Sequence, residues 1–235
     1  MKMLTLTEAK LLVREPLALF WGLVFPMALL AVMGVSASSI GGVPLVTVYE
    51  PIVIAFVGVA FGVQGLPVQV AGYRERRVLR RLATTPAGPL RVIGAQLIVS
   101  LTVVLAATIG VLAVGRLGFG VPLPAQPAGF ALVVVLSATA MLALGLLIGA
   151  LAPTARSAGA AGTVLFFPLM YFAGLWTPQL SAATRRIGQF TPLGAADQAL
   201  RDAMAGGWPH PAALLVLGGC TLACAAAAAR FFRWD

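Results

Sequence analysis

The run VIGAQLIVSLTVVLAATIGVLAVG, Val92 to Gly115, contains no charged residue and no proline. As a helix rising about 1.5 Å per residue it is long enough to cross a hydrocarbon core about 30 Å thick. Hydrocarbon offers backbone N–H and C=O groups no partner, so a spanning segment must be a helix or part of a closed barrel. Barrel strands alternate apolar and polar residues. This run is apolar throughout, and the helix is the reading that survives.

Working outward, five further runs repeat the pattern: Leu17 to Ala37, Pro51 to Gly72, Ala128 to Leu151, Ala158 to Trp176 and Pro211 to Ala229. Composition agrees. Hydrophobic residues make up 60% of the 235 residues and charged ones only 10%, against about 25% charged in soluble domains. So few charges cannot coat a water-exposed surface. The class expected is an all-α membrane protein of six transmembrane helices, forming one domain over residues 1–235. Within it, 1–16 holds an interfacial helix, 17–72 spans one and two, 73–91 a basic loop, 92–176 spans three to five, 177–210 two short outer, re-entrant helices, and 211–235 span six with its tail.

The formal net charge of +9 would suggest nucleic acid in a soluble protein. Here the basic residues sit between apolar runs without interleaved aromatics to stack bases, so no nucleic acid is expected. Their distribution sets orientation instead, because short cytoplasmic loops collect Lys and Arg. With the N-terminus inside, Lys2, Lys10, Arg14, Arg74, Arg76, Arg77, Arg80, Arg81, Arg91, Arg156, Arg230 and Arg233 lie in the cytoplasm, against Arg116, Arg185, Arg186 and Arg201 outside. That is twelve to four, which places both termini in the cytoplasm. Val35-Ser36-Ala37 resembles a signal-peptidase site, but the first run follows sixteen residues that include Glu8 and Glu15, unlike a short basic leader. It is read as an uncleaved span. Ahead of it, Leu6, Ala9 and Val13 share one helical face and Thr7, Lys10 and Arg14 the other, which suits a helix lying in the interface and stopped by Pro16; a frayed terminus is the alternative.

The loop YRERRVLRRLATTPAGPLR, Tyr73 to Arg91, has six Arg and one Glu. Val78, Leu79 and Leu82 form an apolar strip, while Arg76/Arg80 and Arg77/Arg81 are like-charge i,i+4 pairs that repel on an isolated helix. Thr84-Thr85-Pro86 and Gly88-Pro89 end the helix. Anchoring to anionic lipid accounts for the charge. A docking element for a cytoplasmic partner accounts for the charge and for the capped amphipathic helix.

The run Arg74-Glu75-Arg76 through Leu79-Arg80-Arg81-Leu82-Ala83-Thr84-Thr85-Pro86, with Pro89-Leu90-Arg91, resembles the loop of ABC type-2 transporter permeases, the six-helix membrane subunits of ABC exporters. Phe190-Thr191-Pro192-Leu193, Ala199-Leu200-Arg201 and Gly206-Gly207 resemble that family's segment before its last helix. Arg77-Val78 departs from the Gly-Thr of many members. The resemblance implies that the loop is a coupling helix seated in an ATPase (nucleotide-binding) subunit, with Tyr73, Glu75, Arg76, Arg77, Arg80, Arg81 and Thr85 as ATPase-coupling residues. It also implies a second permease copy or paralogue completing the path, outer helices that close it near Pro192 and Arg201, membrane lipids around it, and a drug-like, antibiotic or lipid-like small-molecule substrate.

No catalytic apparatus is visible. The only lysines, Lys2 and Lys10, follow no glycine loop, so no P-loop forms. ATP and Mg would be held by the partner ATPase, this chain binds no cofactor, and it is not expected to be an enzyme. His210, the single histidine, lacks neighbours for a metal site and reads as a helix-start residue. Cys220 and Cys224 share a helical face and read as packing residues. Glu50 sits at a span edge and no acid lies in the core of any span, which argues against an ion-driven carrier.

Within the spans, Gln64 and Gln69 are candidates for a substrate path or for interhelical hydrogen bonds; five apart, they do not share a helical face. Phe166, Phe167, Tyr171, Phe172 and Trp176 suit either an aromatic-lined lateral cleft or ordinary packing with an outer belt. Gly58/Gly62 and Gly145/Gly149 permit close helix approach without naming a partner. Thr191 can cap an outer helix begun by Pro192, and Arg201 can pair with Asp197.

The expected protein is the permease of an ABC exporter in a bacterial inner (plasma) membrane. An ATP-independent carrier or a scaffold is the competing class. Charge reversal at Arg80 and Arg81 is expected to lower both ATPase co-purification and transport; unchanged assembly and activity would remove the loop from coupling.

Overall fold

The computed structural model describes residues 10, 14–36, 38–76, 89–176 and 181–231. Helix α1 covers 16–35 and ends before a two-stranded hairpin, β1 (Ser39–Ile40) and β2 (Val43–Pro44). Helix α2 follows as Leu45–Glu75, then α3 as Pro89–Ala113, continued by a π-helical turn at Val114–Gly118. Helices α4 (Pro127–Leu151), α5 (Ala155–Phe172), α6 (Ala182–Gly188), α7 (Pro192–Met204) and α8 (Pro211–Phe231) complete the order.

Four of these, α2, α3, α4 and α8, are long and apolar enough to cross a membrane. The predicted first and fifth spans are helices too, α1 and α5, although the apolar part of α1, Phe20–Val35, is shorter. Large apolar side chains point outward along the bundle, among them Ile109, Val164, Leu215 and Leu222, each at least two-thirds exposed. A soluble surface would not carry so many.

The all-α class holds, with one short hairpin added: Gly41 and Gly42, with φ of 60° and 83°, make a two-residue turn that pairs Ile40 with Val43 and Ser39 with Pro44. Only glycine takes two successive positive φ values without steric cost, and such turns match the twist of paired strands. One boundary is corrected: the second span begins at Leu45 rather than Pro51, with Pro44 as the residue before its first turn. Pro51 therefore lies inside the helix, where it removes one backbone bond.

Prolines also shape the helices from within. The π-helical turns Phe20–Val24 and Ala60–Gly65 each end one residue before an X-Pro pair, Phe25-Pro26 and Leu66-Pro67. Proline cannot bond the carbonyl four residues back and its ring crowds it. The backbone widens there, and the N–H groups of Phe25 and Leu66 reach back five residues to the carbonyls of Phe20 and Phe61.

Helix α2 is the spine. In its most apolar window 78% is buried, against 33% for α3, 50% for α4 and 17% for α8. It packs on α1, α3, α4, α5 and α7, whereas α8 leans chiefly on α4 and leaves most of its surface to lipid. The glycine pairs find their partners here: those of α2 and α4 face each other. A Cβ on Gly62 would lie 2.6 Å from the Met141 carbonyl carbon, and one on Gly145 would overlap the Gly62 carbonyl. Gly149 meets Val70 in the same seam. Without side chains the backbones approach closely enough for dispersion and Cα–H contacts to replace the hydrophobic drive that lipid removes.

Gly145→Ala is accordingly expected to destabilise the fold by about 1–3 kcal/mol. Gly218→Ala on α8, where the added methyl meets nothing within 4 Å, should change stability by less than about 0.5 kcal/mol. Thermal unfolding in detergent, followed by size-exclusion fluorescence, compares the two.

Candidate functional site

A cavity of about 1520 Å³ lies against α1, α2, α3 and α5. At one end it meets Arg14, Glu15, Glu75 and Arg76; at the other it meets Met33, Tyr49, Leu175 and Trp176. Because the helices run antiparallel, the first group marks the basic end of the bundle and the second the hairpin end. Between them the walls carry no charged side chain.

Aromatic rings line the middle in an unbroken series. Trp21 packs on Phe25 with centroids 4.8 Å apart, Phe25 on Phe56 at 5.5 Å, and Phe56 edge-to-face on Phe166 at 6.0 Å. Phe166 continues to Phe167 at 5.5 Å, and Phe167 stacks near-parallel on Trp176 at 6.3 Å. Such pairs add about 0.5–1.5 kcal/mol each beyond area burial. Phe166 and Phe167 of the expected path therefore border the cavity, joined by rings from α1 and α2. Tyr171 does not border it; its ring lies on Phe172 at 5.6 Å and is 44% exposed. The α1 and α2 aromatics were missed in the sequence, where the cluster Phe20-Trp21 and Phe25 in the first apolar run was the available signal.

Both glutamines border the same cavity although they face different neighbours. Gln69 Oε1 accepts from Gln96 Nε2 of α3, and Gln64 Oε1 accepts from Thr163 Oγ1 of α5 at 3.4 Å. The cavity is wide enough to touch two faces of α2 at once. The sequence marks Gln96 only as a lone amide in the apolar run from Val92 to Gly115. Gly162 brings α5 onto α2 beside these groups, where a Cβ would lie 2.5 Å from the Val63 carbonyl oxygen and 3.3 Å from Gln64 Oε1.

At the basic end, Tyr73, Glu75 and Arg76 border the cavity. Arg77, Arg80, Arg81 and Thr85 of the proposed coupling set lie outside the described residues, as does most of the interfacial helix, of which Arg14 N–H donates to the Lys10 carbonyl at 3.3 Å. Glu75 Oε2 accepts the Ala155 N–H at 3.0 Å, and Arg74 donates to the carbonyls of Ala150 and Ala152.

At the hairpin end, Pro192 opens α7, and the Thr191 hydroxyl caps it by accepting from Gly194 N–H at 3.2 Å. Arg201 Nε meets Asp197 Oδ2 at 2.8 Å, and its Nη2 donates to the Val48 carbonyl at 3.0 Å. That second bond ties α7 to the first turns of α2, which the i,i+4 pattern alone does not reveal. Burial pushes the Asp197 carboxyl above its usual range, against the pull of the Arg201 charge and hydrogen bond. His210 opens α8, its Nδ1 accepting from Ala212 N–H at 3.3 Å and its own N–H donating to Asp202 Oδ2 at 3.3 Å. Among the described residues no cluster of three His, Cys, Asp or Glu could hold a metal.

Glu50 requires a correction. Because α2 starts at Leu45, Glu50 sits inside the helix rather than at its edge, and it is buried at 1% exposure. Gly115 of the π-helical turn makes the room, since a Cβ there would lie 3.2 Å from the Glu50 carboxyl carbon. Its Oε2 has no hydrogen-bond partner among the described residues.

A bundle of apolar helices around a cavity walled by aromatic rings, with charge only at its basic end, fits a multi-pass membrane protein. The sequence model of the ABC-2 type transporter family matches residues 1–204, and the chain belongs to that family. It is therefore a permease component of an ABC transporter, from a family of transport subunits that are generally non-catalytic. Neither a curated protein nor a solved structure matches it.

Gln96→Leu leaves Gln69 without its amide partner at the cavity wall and should cost about 0.6 kcal/mol and at most about 1.7, the average and maximum for such bonds in a membrane protein. Adding Gln69→Leu should recover most of that loss. A double-mutant cycle on detergent unfolding checks the coupling.

Proposed function

We propose that this chain is the membrane-spanning permease of an ATP-driven ABC exporter, moving a hydrophobic or amphiphilic compound, such as a drug, an antibiotic or a lipid-like molecule, out of a bacterial cell. It crosses the plasma membrane six times with both termini in the cytoplasm. The observation that carries this reading is the cavity: about 1520 Å³, lined by aromatic rings and uncharged amides, with fixed charge confined to the basic end. Ligand pockets for drug-sized molecules run about 300–1,000 Å³, so volume does not limit such a substrate. Aromatic faces bind apolar rings and chains, while Gln64, Gln69 and Thr163 offer hydrogen bonds without demanding a particular charge.

Two permeases, identical or paralogous, form the complete path, with two ATPase subunits docked on the basic loops. ATP closes the ATPase pair, the loops at 73–91 move, and the spans exchange inward-facing and outward-open arrangements, a rigid-body transition of packed helices. Pro192 and Arg201 lie at the outer gate. No span presents a lysine or a nucleotide loop that would let this chain hydrolyse ATP itself.

The chain co-expressed with its ATPase partner should yield a complex whose ATP hydrolysis is vanadate-sensitive and stimulated by amphiphiles. Phe167→Ala and Gln64→Ala are expected to raise the half-saturating amphiphile concentration by about 5–30-fold, corresponding to about 1–2 kcal/mol of lost contact. A chain that associates with no ATPase, or that transports equally well without ATP, would assign it to ion-driven carriers or scaffolds instead.

A further inference from the structure

The end of α2 carries two adjacent residues of opposite charge, Arg74 and Glu75, and each is joined to a different helix terminus. Arg74 Nη1 donates to the Ala150 carbonyl at 3.0 Å and Nη2 to the Ala152 carbonyl. Those carbonyls belong to the last turn and C-cap of α4. Glu75 Oε2 accepts from Ala155 N–H at 3.0 Å, the first residue of α5, whose Thr154 forms a capping box with Ser157. Helix ends expose unpaired carbonyls at the C-terminus and unpaired N–H groups at the N-terminus. The helix dipole places partial negative charge at the first and partial positive charge at the second. A guanidinium on the α4 terminus and a carboxylate on the α5 terminus match both polarities, and the three-residue link 152–154 between those helices is held from either side.

The packing beneath is equally tight. Ala71, Ala152 and Ala158 form a buried cluster of small side chains, and a Cβ on Gly72 would lie 3.9 Å from that of Ala155. Polar fasteners and a small-residue seam thus join three helices at one point, two residues ahead of the basic segment at 77–88.

We infer that Arg74 and Glu75 are positioning residues, a bolt that makes the end of α2 and the α4–α5 junction move as one body. Displacement of the basic loop is thereby delivered to three helices and to the cavity wall formed by α2 and α5. This rests on the exporter reading above, which supplies the force on the loop. A bolt and a mere stabilising contact differ in what they change. Losing a stabilising contact reduces the amount of active complex, so transport and ATP hydrolysis fall together. Losing a bolt lets the loop move without the spans, so fewer molecules cross for each ATP hydrolysed.

The test uses the full permease–ATPase complex in inverted vesicles, with Cys220 and Cys224 replaced by Ala, and a fluorescent amphiphile as the probe. Arg74→Ala should lower the molecules transported per ATP by about fivefold or more. Adding Gly72→Cys and Ala155→Cys to that variant places two thiols whose Cβ spacing lies within the disulfide range of about 3.5–4.5 Å. Oxidation should restore the ratio and reduction should abolish it again. An unchanged ratio in Arg74→Ala overturns the inference. So does a lowered ratio that the formed disulfide, verified by mobility shift, does not recover. Absence of ATP-driven transport by the unmodified complex would instead sink the exporter reading, and the inference with it.

Discussion

In hydrocarbon, helices gain nothing from hiding apolar surface from one another, because lipid is as apolar as leucine. Association must come from close contact and from polar groups with nowhere else to bond. The meeting of α2 and α4 at Gly62 and Gly145 satisfies the first requirement, and everything else in the bundle is arranged around it. With α2 held at the centre, α1, α3 and α5 can pack on its remaining faces and leave a cavity between them rather than a solid core.

That cavity depends on departures from regular helix. Pro67 precludes the normal bond to Val63, the turn at Ala60–Gly65 widens, and Gly162 lets α5 settle against it. Pro26 has a similar effect on α1. Each widened turn lies beside aromatic wall residues, Trp21 and Phe25 in one case and Phe61 in the other. Irregular backbone at these depths is tolerated because it lines a cavity and is covered by protein. The same widening in α3 accompanies the seat of Glu50 against Gly115.

Polar contacts are concentrated at the two ends of the bundle. At the hairpin end Arg201 joins Asp197 to the Val48 carbonyl; at the basic end Arg74 and Glu75 join three helix termini. Between them, among the described residues, the cavity walls carry only amides and hydroxyls as polar groups, while the Glu50 carboxyl is buried away from the cavity against Gly115. Unpaired charge at mid-depth would cost several kcal/mol, whereas charge at helix termini meets dipoles and water.

Hydropathy, charge asymmetry and the proline and threonine at Pro192 and Thr191 are local properties. They were enough to read helices, their approximate limits and the cap of α7; the family was legible only through the resemblance of the loop at 74–91 and the segment at 190–207. The hairpin at Gly41-Gly42, the start of α2 at Leu45 and the burial of Glu50 escaped, since a glycine pair and two prolines each admit more than one reading until neighbours are known. Which glycines meet, that Gln69 bonds Gln96, and that Glu75 turns inward to Ala155 are decisions of the tertiary structure. Periodicity assigns a residue to a helical face, but in a medium where every face is apolar it does not say which helix that face will touch. Only the assembled packing of backbone against backbone settles it.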